Sequence, residues 1–148
     1  MTGITENPCG TILAFDFGKK RIGVAIGDSM LQLAHPLVTI DNTVTEQCFA
    51  AIAKLIEAWQ PVLLVVGLPT HDDGREHELT RLCRRFARRL TGRFGLEIVL
   101  IDERYTSITA SVALKELGVR GKKQKPMLDQ MAAQQILQSF FDDNHAVT

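Results

Sequence analysis

Three carboxylates stand in unusually apolar surroundings along the chain. Asp16 lies inside the apolar run at 11–18, Glu103 follows the apolar segment at 96–101, and Asp129 lies within a helical pattern of apolar residues. An ionised carboxylate in an apolar setting is costly unless a cation or hydrogen-bond donors compensate it. Carboxylate oxygens are also the ligands that hard divalent ions prefer. If the three side chains converge on one cavity, they would form a site for Mg²⁺ or Mn²⁺.

Each carboxylate also has a simpler interpretation. Asp16 could cap a turn, Glu103 could pair with Arg104 at the end of a strand, and Asp129 could be favoured by the dipole of its helix. Because side chains alternate along a strand, Asp102 should face away from Glu103, so only one of these two acids should reach the site. The residues alone leave the metal site and these structural roles open.

Basic residues accompany each of the three acids. They are Lys19, Lys20 and Arg21 after Asp16, Arg104 after Glu103, Lys122, Lys123 and Lys125 before Asp129, and Arg81, Arg85 and Arg88 on one face of a predicted helix. Such residues can position phosphates without reading bases, although lysine-rich turns and polar helix faces are also simply solvated. With 17 basic and 17 acidic residues, the chain has no excess charge for binding nucleic acid, so only a local basic surface is expected.

Length and composition predict one soluble domain over 1–148. The 148 residues are 45% hydrophobic and 23% charged, and the longest apolar run, at 61–66, is too short to cross a bilayer. The first residues lack the features of a secretory signal, which predicts a cytoplasmic protein without a membrane partner. Cys9, Cys48 and Cys83 form no C-x-x-C pair, so we expect buried or incidental thiols rather than a zinc site or a disulfide.

Hydrophobic periodicity predicts alternating strands and helices. In chain order we expect strands over 11–17, 22–26 and 37–40, a helix from a capping box at 43–46 to 59, a strand over 61–66, a helix over 76–91, a strand over 96–101, and helices over 107–117 and 126–141. This order is typical of an α/β fold with a mixed sheet flanked by helices. In such a fold, ligand sites collect at the carboxyl ends of the strands, where Glu103 is expected.

Taken together, the motifs resemble the YqgF family, also described as RuvX or Holliday junction resolvase, within the RNase H-like superfamily. The residues that carry the resemblance are AFDFG at 14–18, RIGVA at 21–25, VGLP at 66–69, DERYT at 102–106, and Asp129 followed by Ala132. The match spans about 11–141, nearly the whole chain. It implies an RNase H-like fold whose first three strands form an antiparallel meander. It also implies a bacterial cytoplasmic nuclease that matures the 5′ end of pre-16S rRNA, with Holliday junction cleavage as the older inference.

The resemblance assigns metal binding and catalysis to Asp16, Glu103 and Asp129. RuvC-type resolvases carry a further acid one turn after the helical aspartate, where this chain has Ala132, so the number of metals stays open. A noncatalytic nucleic-acid-binding module is therefore an alternative. An actin-like ATPase is another, but one small domain lacks the second lobe that encloses a nucleotide. Cleavage of a four-way junction would need two active sites and hence a homodimer.

Overall fold

The computed structural model describes residues 10–68, 78–102 and 124–147. Its elements are β1 (Thr11–Phe17), β2 (Arg21–Asp28), β3 (Leu33–Asp41), α1 (Thr45–Trp59), β4 (Leu63–Leu68), α2 (Glu78–Phe94), β5 (Ile98–Asp102) and α3 (Gln124–Val147). The predicted helix over 107–117 lies outside the described residues. None of the helices in the described ranges is long and apolar enough to cross a membrane.

The strands form one mixed sheet in the order β3-β2-β1-β4-β5. β1, β2 and β3 are an antiparallel meander, whereas β4 pairs with β1, and β5 with β4, in parallel. This confirms the predicted α/β fold and the meander. Because β1, β4 and β5 are parallel, their carboxyl ends lie at the same edge of the sheet, which we call the carboxyl edge.

Helices cover both faces of the sheet. On one face, the α1/α2 face, Leu13 and Phe15 of β1 pack with Ile52 of α1 and Phe86 of α2. On the other, the α3 face, Ile12 and Ala14 of β1 pack with Ala133, Ile136 and Leu137 of α3. Successive residues of β1 thus belong to opposite cores, as the pleat of a strand requires. Every side chain at the end of β1 is thereby assigned to a face.

β2 lets α3 approach unusually closely because small residues line its α3 face. A Cβ atom added to Gly23 would lie 1.9 Å from the carbonyl oxygen of Asp129, and one added to Gly27 would lie 2.9 Å from the ring of Phe141. Ala25 lies between them and is fully buried. The backbone of α3 therefore rests almost directly on the backbone of β2.

Several strand boundaries differ from the prediction. β3 begins at Leu33 rather than 37, and β4 and β5 each begin two residues later than expected. Leu33, His35 and Pro36 are exposed, which hid the strand pattern. Since β3 is an edge strand, it tolerates a proline that an inner strand would exclude.

The capping box predicted at 43–46 was wrong. The carboxylate of Asp41 accepts a hydrogen bond from the backbone N–H of Thr43 at 2.7 Å and another from its hydroxyl. Because the Thr43 hydroxyl is bound to Asp41, it does not cap α1. The helix instead begins after Val44, whose side chain makes no capping hydrogen bond. Asp41 and Thr43 form a local turn that competes with helix capping, and these hydrogen bonds lower the pKa of the Asp41 carboxyl.

Both later helices are longer than expected. α2 continues through Gly92 to Phe94, and Gly95, with φ of 67°, donates its N–H to the carbonyl of Thr91 at 2.9 Å. Of Gly92 and Gly95, it is Gly95 that adopts the left-handed conformation typical of a helix end. α3 begins at Gln124, so Pro126 lies in its first turn, where a missing N–H costs little.

Cys48 and Cys83 are buried, as predicted for these two thiols. Burial raises the pKa of the Cys48 thiol to about 11, with a smaller contribution from the Asp41 carboxylate. A thiol with so high a pKa is protonated and unreactive near neutral pH. Cys48 therefore acts as a small apolar residue of the core. Cys9 lies outside the described residues.

Candidate active site

Asp16 projects from the carboxyl end of β1 toward α3. It follows Phe15 and precedes Phe17, both of which pack on the α1/α2 face, so alternation assigns Asp16 to the α3 face. Its side chain is half-buried, and its pairing partner on β2 is Gly23. Asp16 therefore lies beside the position where α3 comes closest to the sheet.

Asp129 is fixed at that same position by two contacts. Its backbone carbonyl lies over Gly23, the residue paired with Asp16. The Nε of Arg21 donates a hydrogen bond to Oδ2 of Asp129 at 2.8 Å, and the two side chains are 38% and 23% exposed. The fold thus brings Asp16 and Asp129, which are far apart in sequence, to one face and one edge of the sheet.

The two carboxylates fit a divalent metal by the chemistry of their donors. Both supply oxygen ligands, and neither is fully buried, so an ion could be held between protein and water. In residues 10–68, 78–102 and 124–147, no three His, Cys, Asp or Glu side chains are grouped around one point. Glu103, the third predicted ligand, lies outside these ranges. The described part of the chain contributes two of the three predicted ligands.

Small and acidic residues lie near the two acids. Ala132 and Ala133, one turn after Asp129, are buried against the sheet. Asp102 ends β5 one residue after Ile101, which packs on the α3 face, so Asp102 faces the α1/α2 face. Glu103, from which Asp102 was predicted to face away, lies outside the described residues.

A basic turn connects β1 to β2 beside this site. Lys19 and Lys20 are exposed, and Nζ of Lys19 forms an ion pair with Glu78 of α2 at 2.8 Å. The hydrogen bond from Lys19 lowers the pKa of the Glu78 carboxyl. Asn42 braces the turn by donating from its side chain to the Gly18 carbonyl at 2.8 Å and from its backbone to the Lys20 carbonyl at 2.9 Å.

The remaining predicted contacts are dispersed. Arg81, Arg85 and Arg88 are exposed on α2, on the other face of the sheet from Asp129. Lys125 lies in the first turn of α3, but its side chain is not part of the described structure. Arg104, Lys122 and Lys123 lie outside the described residues.

Sequence reasoning missed Gly23, Asn42 and Glu78. Gly23 could have been found, because a glycine inside an otherwise apolar strand often marks a close backbone approach. Asn42 and Glu78 carried no comparable signal, since both act through contacts with a turn that is distant in sequence.

Residues 10–143 match a family model described as RuvX, Holliday junction resolvase. The chain belongs to the RuvX family. A relative from Nitrosomonas europaea is 64% identical over the full length of both chains. One from Chromobacterium violaceum is 63% identical over 88% of this chain and 96% of its own. Both bear the name "Putative pre-16S rRNA nuclease".

Solved structures place the RuvX-family chain in the RNase H-like fold. A fowlpox virus resolvase bound to Holliday junction DNA aligns with a TM-score of 0.57 and 11% identity, over 90% of this chain and 98% of its own. Thermus thermophilus RuvC with its Holliday junction substrate aligns with a TM-score of 0.54 and 13% identity, over 92% and 96%. At these identities the likeness establishes the fold, which confirms the predicted RNase H-like architecture.

Proposed function

We propose that this RuvX-family protein is a divalent-metal-dependent endonuclease that processes the 5′ end of pre-16S rRNA in the cytoplasm. The observation that carries the proposal is the meeting of Asp16 and Asp129 on one face of the carboxyl edge, with Arg21 on Asp129. The name shared by relatives more than 60% identical supports the substrate. Both that name and the family description denote nucleases, in agreement with the predicted enzyme class.

Asp16, Asp129 and Glu103 would hold Mg²⁺ or Mn²⁺. Such an ion, when bound, activates a water molecule for attack on phosphorus and stabilises the leaving oxygen. Arg21 contacts only one oxygen of Asp129 through its Nε, and so orients this carboxylate by a charge-assisted hydrogen bond. The exposed Lys20 on the adjacent turn is placed to attract the phosphates of a substrate strand.

The test is Mn²⁺-dependent cleavage of a pre-16S rRNA 5′ leader and of a synthetic four-way DNA junction, side by side. We expect the wild type to cut the leader, and Asp16→Asn or Asp129→Asn to abolish the cut without loss of fold. Asp142→Asn is the matched control, because Asp142 lies exposed on the same helix and on no part of the site. Cleavage retained in a variant lacking all three acids would reject the proposal.

The second candidate function is Holliday junction resolution in DNA recombination or repair, which the description of the family model favours. Junction cleavage without leader cleavage would support it. Resolution needs two active sites on one junction, so the protein should then form a symmetric dimer, which sedimentation velocity would detect. If the protein binds either substrate but cuts neither, a noncatalytic binding module explains the site better, and Ala132 would then mark the lost acid.

A further inference from the structure

A cavity of about 280 Å³ opens on the α1/α2 face of the sheet, opposite the two acids. Its lining consists of Phe17, Lys19, Asn42, Thr45, Phe49, Leu82, Arg85, Phe86 and Arg89. Among the described residues, the lining contains three basic side chains, three phenylalanines, two neutral polar residues and one leucine, and none of these is a carboxylate. We call it the α1/α2 cavity.

The charge of the α1/α2 cavity favours an anion. Arg85 and Arg89 lie one turn apart on α2, and Lys19 lies opposite them on the β1–β2 turn. Glu78 is the acid that the structure pairs with Lys19, but both partners are more than half exposed, so water screens this ion pair and a ligand can compete for the lysine. The planar guanidinium group of arginine presents paired N–H donors that match the oxygens of a phosphate group.

The floor of the α1/α2 cavity is aromatic. The rings of Phe17 and Phe86 lie 4.9 Å apart, and Phe49 and Phe86 lie 6.0 Å apart. The guanidinium of Arg93 lies 4.2 Å from the ring centre of Phe49, and Phe49 and Phe86 are buried, so Phe17 is the ring that a base can reach. Phe17 is half-buried and has exposed surface beside the cavity. An aromatic floor with a basic rim is the combination that binds a base together with its phosphate.

The position of the α1/α2 cavity relates it to the candidate active site. Phe17 directly follows Asp16 in β1, and their side chains lie on opposite faces of the sheet. The basic turn passes between the two sites, with Lys19 lining the cavity and Arg21 contacting Asp129 on the other side. A strand crossing this turn would pass the basic residues Lys19, Lys20 and Arg21.

We propose that the α1/α2 cavity binds one nucleotide of the substrate RNA strand, on the opposite side of the basic turn from the bond that is cut. This inference rests on the proposed nuclease function. The size limits the occupant to one nucleotide, because 280 Å³ lies just below the range for small-molecule sites, about 300–1,000 Å³. The mixture of aromatic and basic side chains favours a nucleotide over an acidic peptide, which would need no aromatic floor.

The first experiment compares two single variants that each remove one positive charge. Arg89→Gln alters the cavity, whereas Lys54→Gln alters an exposed lysine of α1 that is not among the lining residues. The affinity of the full-length protein for a fluorescent single-stranded oligoribonucleotide is measured without divalent metal at several KCl concentrations. We expect Arg89→Gln, the cavity variant, to bind about tenfold more weakly, with a salt slope smaller by about 0.7 for one lost phosphate contact.

The second experiment detects the base itself. The oligoribonucleotide carries a single 4-thiouridine, and its photocrosslinks to the wild type are mapped by mass spectrometry. We expect adducts in the segments containing Phe17 and Arg85, which line the cavity. The proposal is overturned if Arg89→Gln and Lys54→Gln bind RNA equally, if the wild type does not bind it, or if no adduct falls in these segments.

These outcomes separate the inference from the proposed function. Affinity and crosslinking are measured without cleavage, so a wild type that binds in the cavity but cuts nothing would reject the nuclease and keep the nucleotide site. Conversely, a wild type that cuts the leader while the cavity variant binds and cuts normally would keep the nuclease and reject the site.

Discussion

At the scale of single residues, the position of Asp129 depends on the absence of a side chain at Gly23. A methyl group there would lie 1.9 Å from the Asp129 carbonyl oxygen, closer than any real contact, so α3 would have to move. Since Asp16 is the pairing partner of Gly23, this movement would separate the two acids. Gly23 is thus a positioning residue for the candidate site.

We predict that Gly23→Ala lowers cleavage about 100-fold, because a misplacement of about 1 Å in a catalytic group can cost that much. Overpacking should also lower the free energy of unfolding by about 1–3 kcal/mol. Leader cleavage and urea denaturation would measure the two effects, at a temperature where the variant stays folded.

Gly92→Ala is the matched control. Gly92 lies within α2, and an added Cβ would have no heavy atom within 4 Å. Alanine is the better helix former by about 1 kcal/mol, so this variant should be at least as stable as the wild type and cleave normally. Full activity in Gly23→Ala would show that the close approach of α3 does not set the geometry of the site.

At the scale of elements, α3 protects the edge of the sheet with side-chain amides. Gln138 accepts the N–H of Ala34 at 3.1 Å and donates to the Gln32 carbonyl at 3.1 Å, while Gln134 donates to the Ala34 carbonyl at 2.9 Å. One turn earlier, Gln130 of the same row also contacts β3. An edge strand otherwise presents unpaired backbone groups to other chains. Gln130, Gln134 and Gln138 form a row on α3, which we call the glutamine row. This row therefore satisfies backbone hydrogen-bonding groups of β3 and orients the helix that carries Asp129.

Replacing Gln134 and Gln138 together by alanine should lower the free energy of unfolding by about 2–3 kcal/mol, about 1 kcal/mol for each hydrogen bond lost. The freed edge of β3 should also promote association that increases with protein concentration. Urea denaturation and sedimentation velocity would measure these changes. Gln47→Ala, an exposed position on α1, is the control and should change neither. A double variant as stable as this control would contradict the role given to the row.

At the scale of the whole molecule, two cores share one sheet. Ile52 belongs to the core on the α1/α2 face and Ile136 to the core on the α3 face, and both are fully buried. The strands between them contribute alternate residues to each core. Because neither core has a sheet of its own, we infer that the chain unfolds as the single domain predicted from its length.

We predict that Ile52→Ala and Ile136→Ala each lower the free energy of unfolding by about 2–5 kcal/mol and leave one cooperative transition. Far-ultraviolet circular dichroism follows the helices, and Trp59, the only tryptophan, gives a fluorescence signal from the end of α1. The two signals should change together in both variants. Separate transitions would show that the cores unfold independently and would contradict a single domain.

The sequence by itself determined the class of fold, the order of the described elements and two members of the candidate site. Apolar runs and helical spacing are local properties, so β1 was predicted with its observed bounds and α3 with the face that packs on the sheet. Asp16 and Asp129 were visible because burying a charge is costly, and the cost shows in a local apolar context. Strand ends were less certain, because the edge strand β3 exposes residues that obscure its pattern.

Only the tertiary structure decided how these residues meet. The hydrogen bond between Arg21 and Asp129 joins positions 108 residues apart, and no local pattern encodes such a pairing. The same holds for the contact of α3 with Gly23 and for the α1/α2 cavity, whose lining comes from a strand, a turn, a loop and two helices. The spacing of side chains within one element follows from its backbone geometry, whereas distances between elements depend on the packing of all of them together.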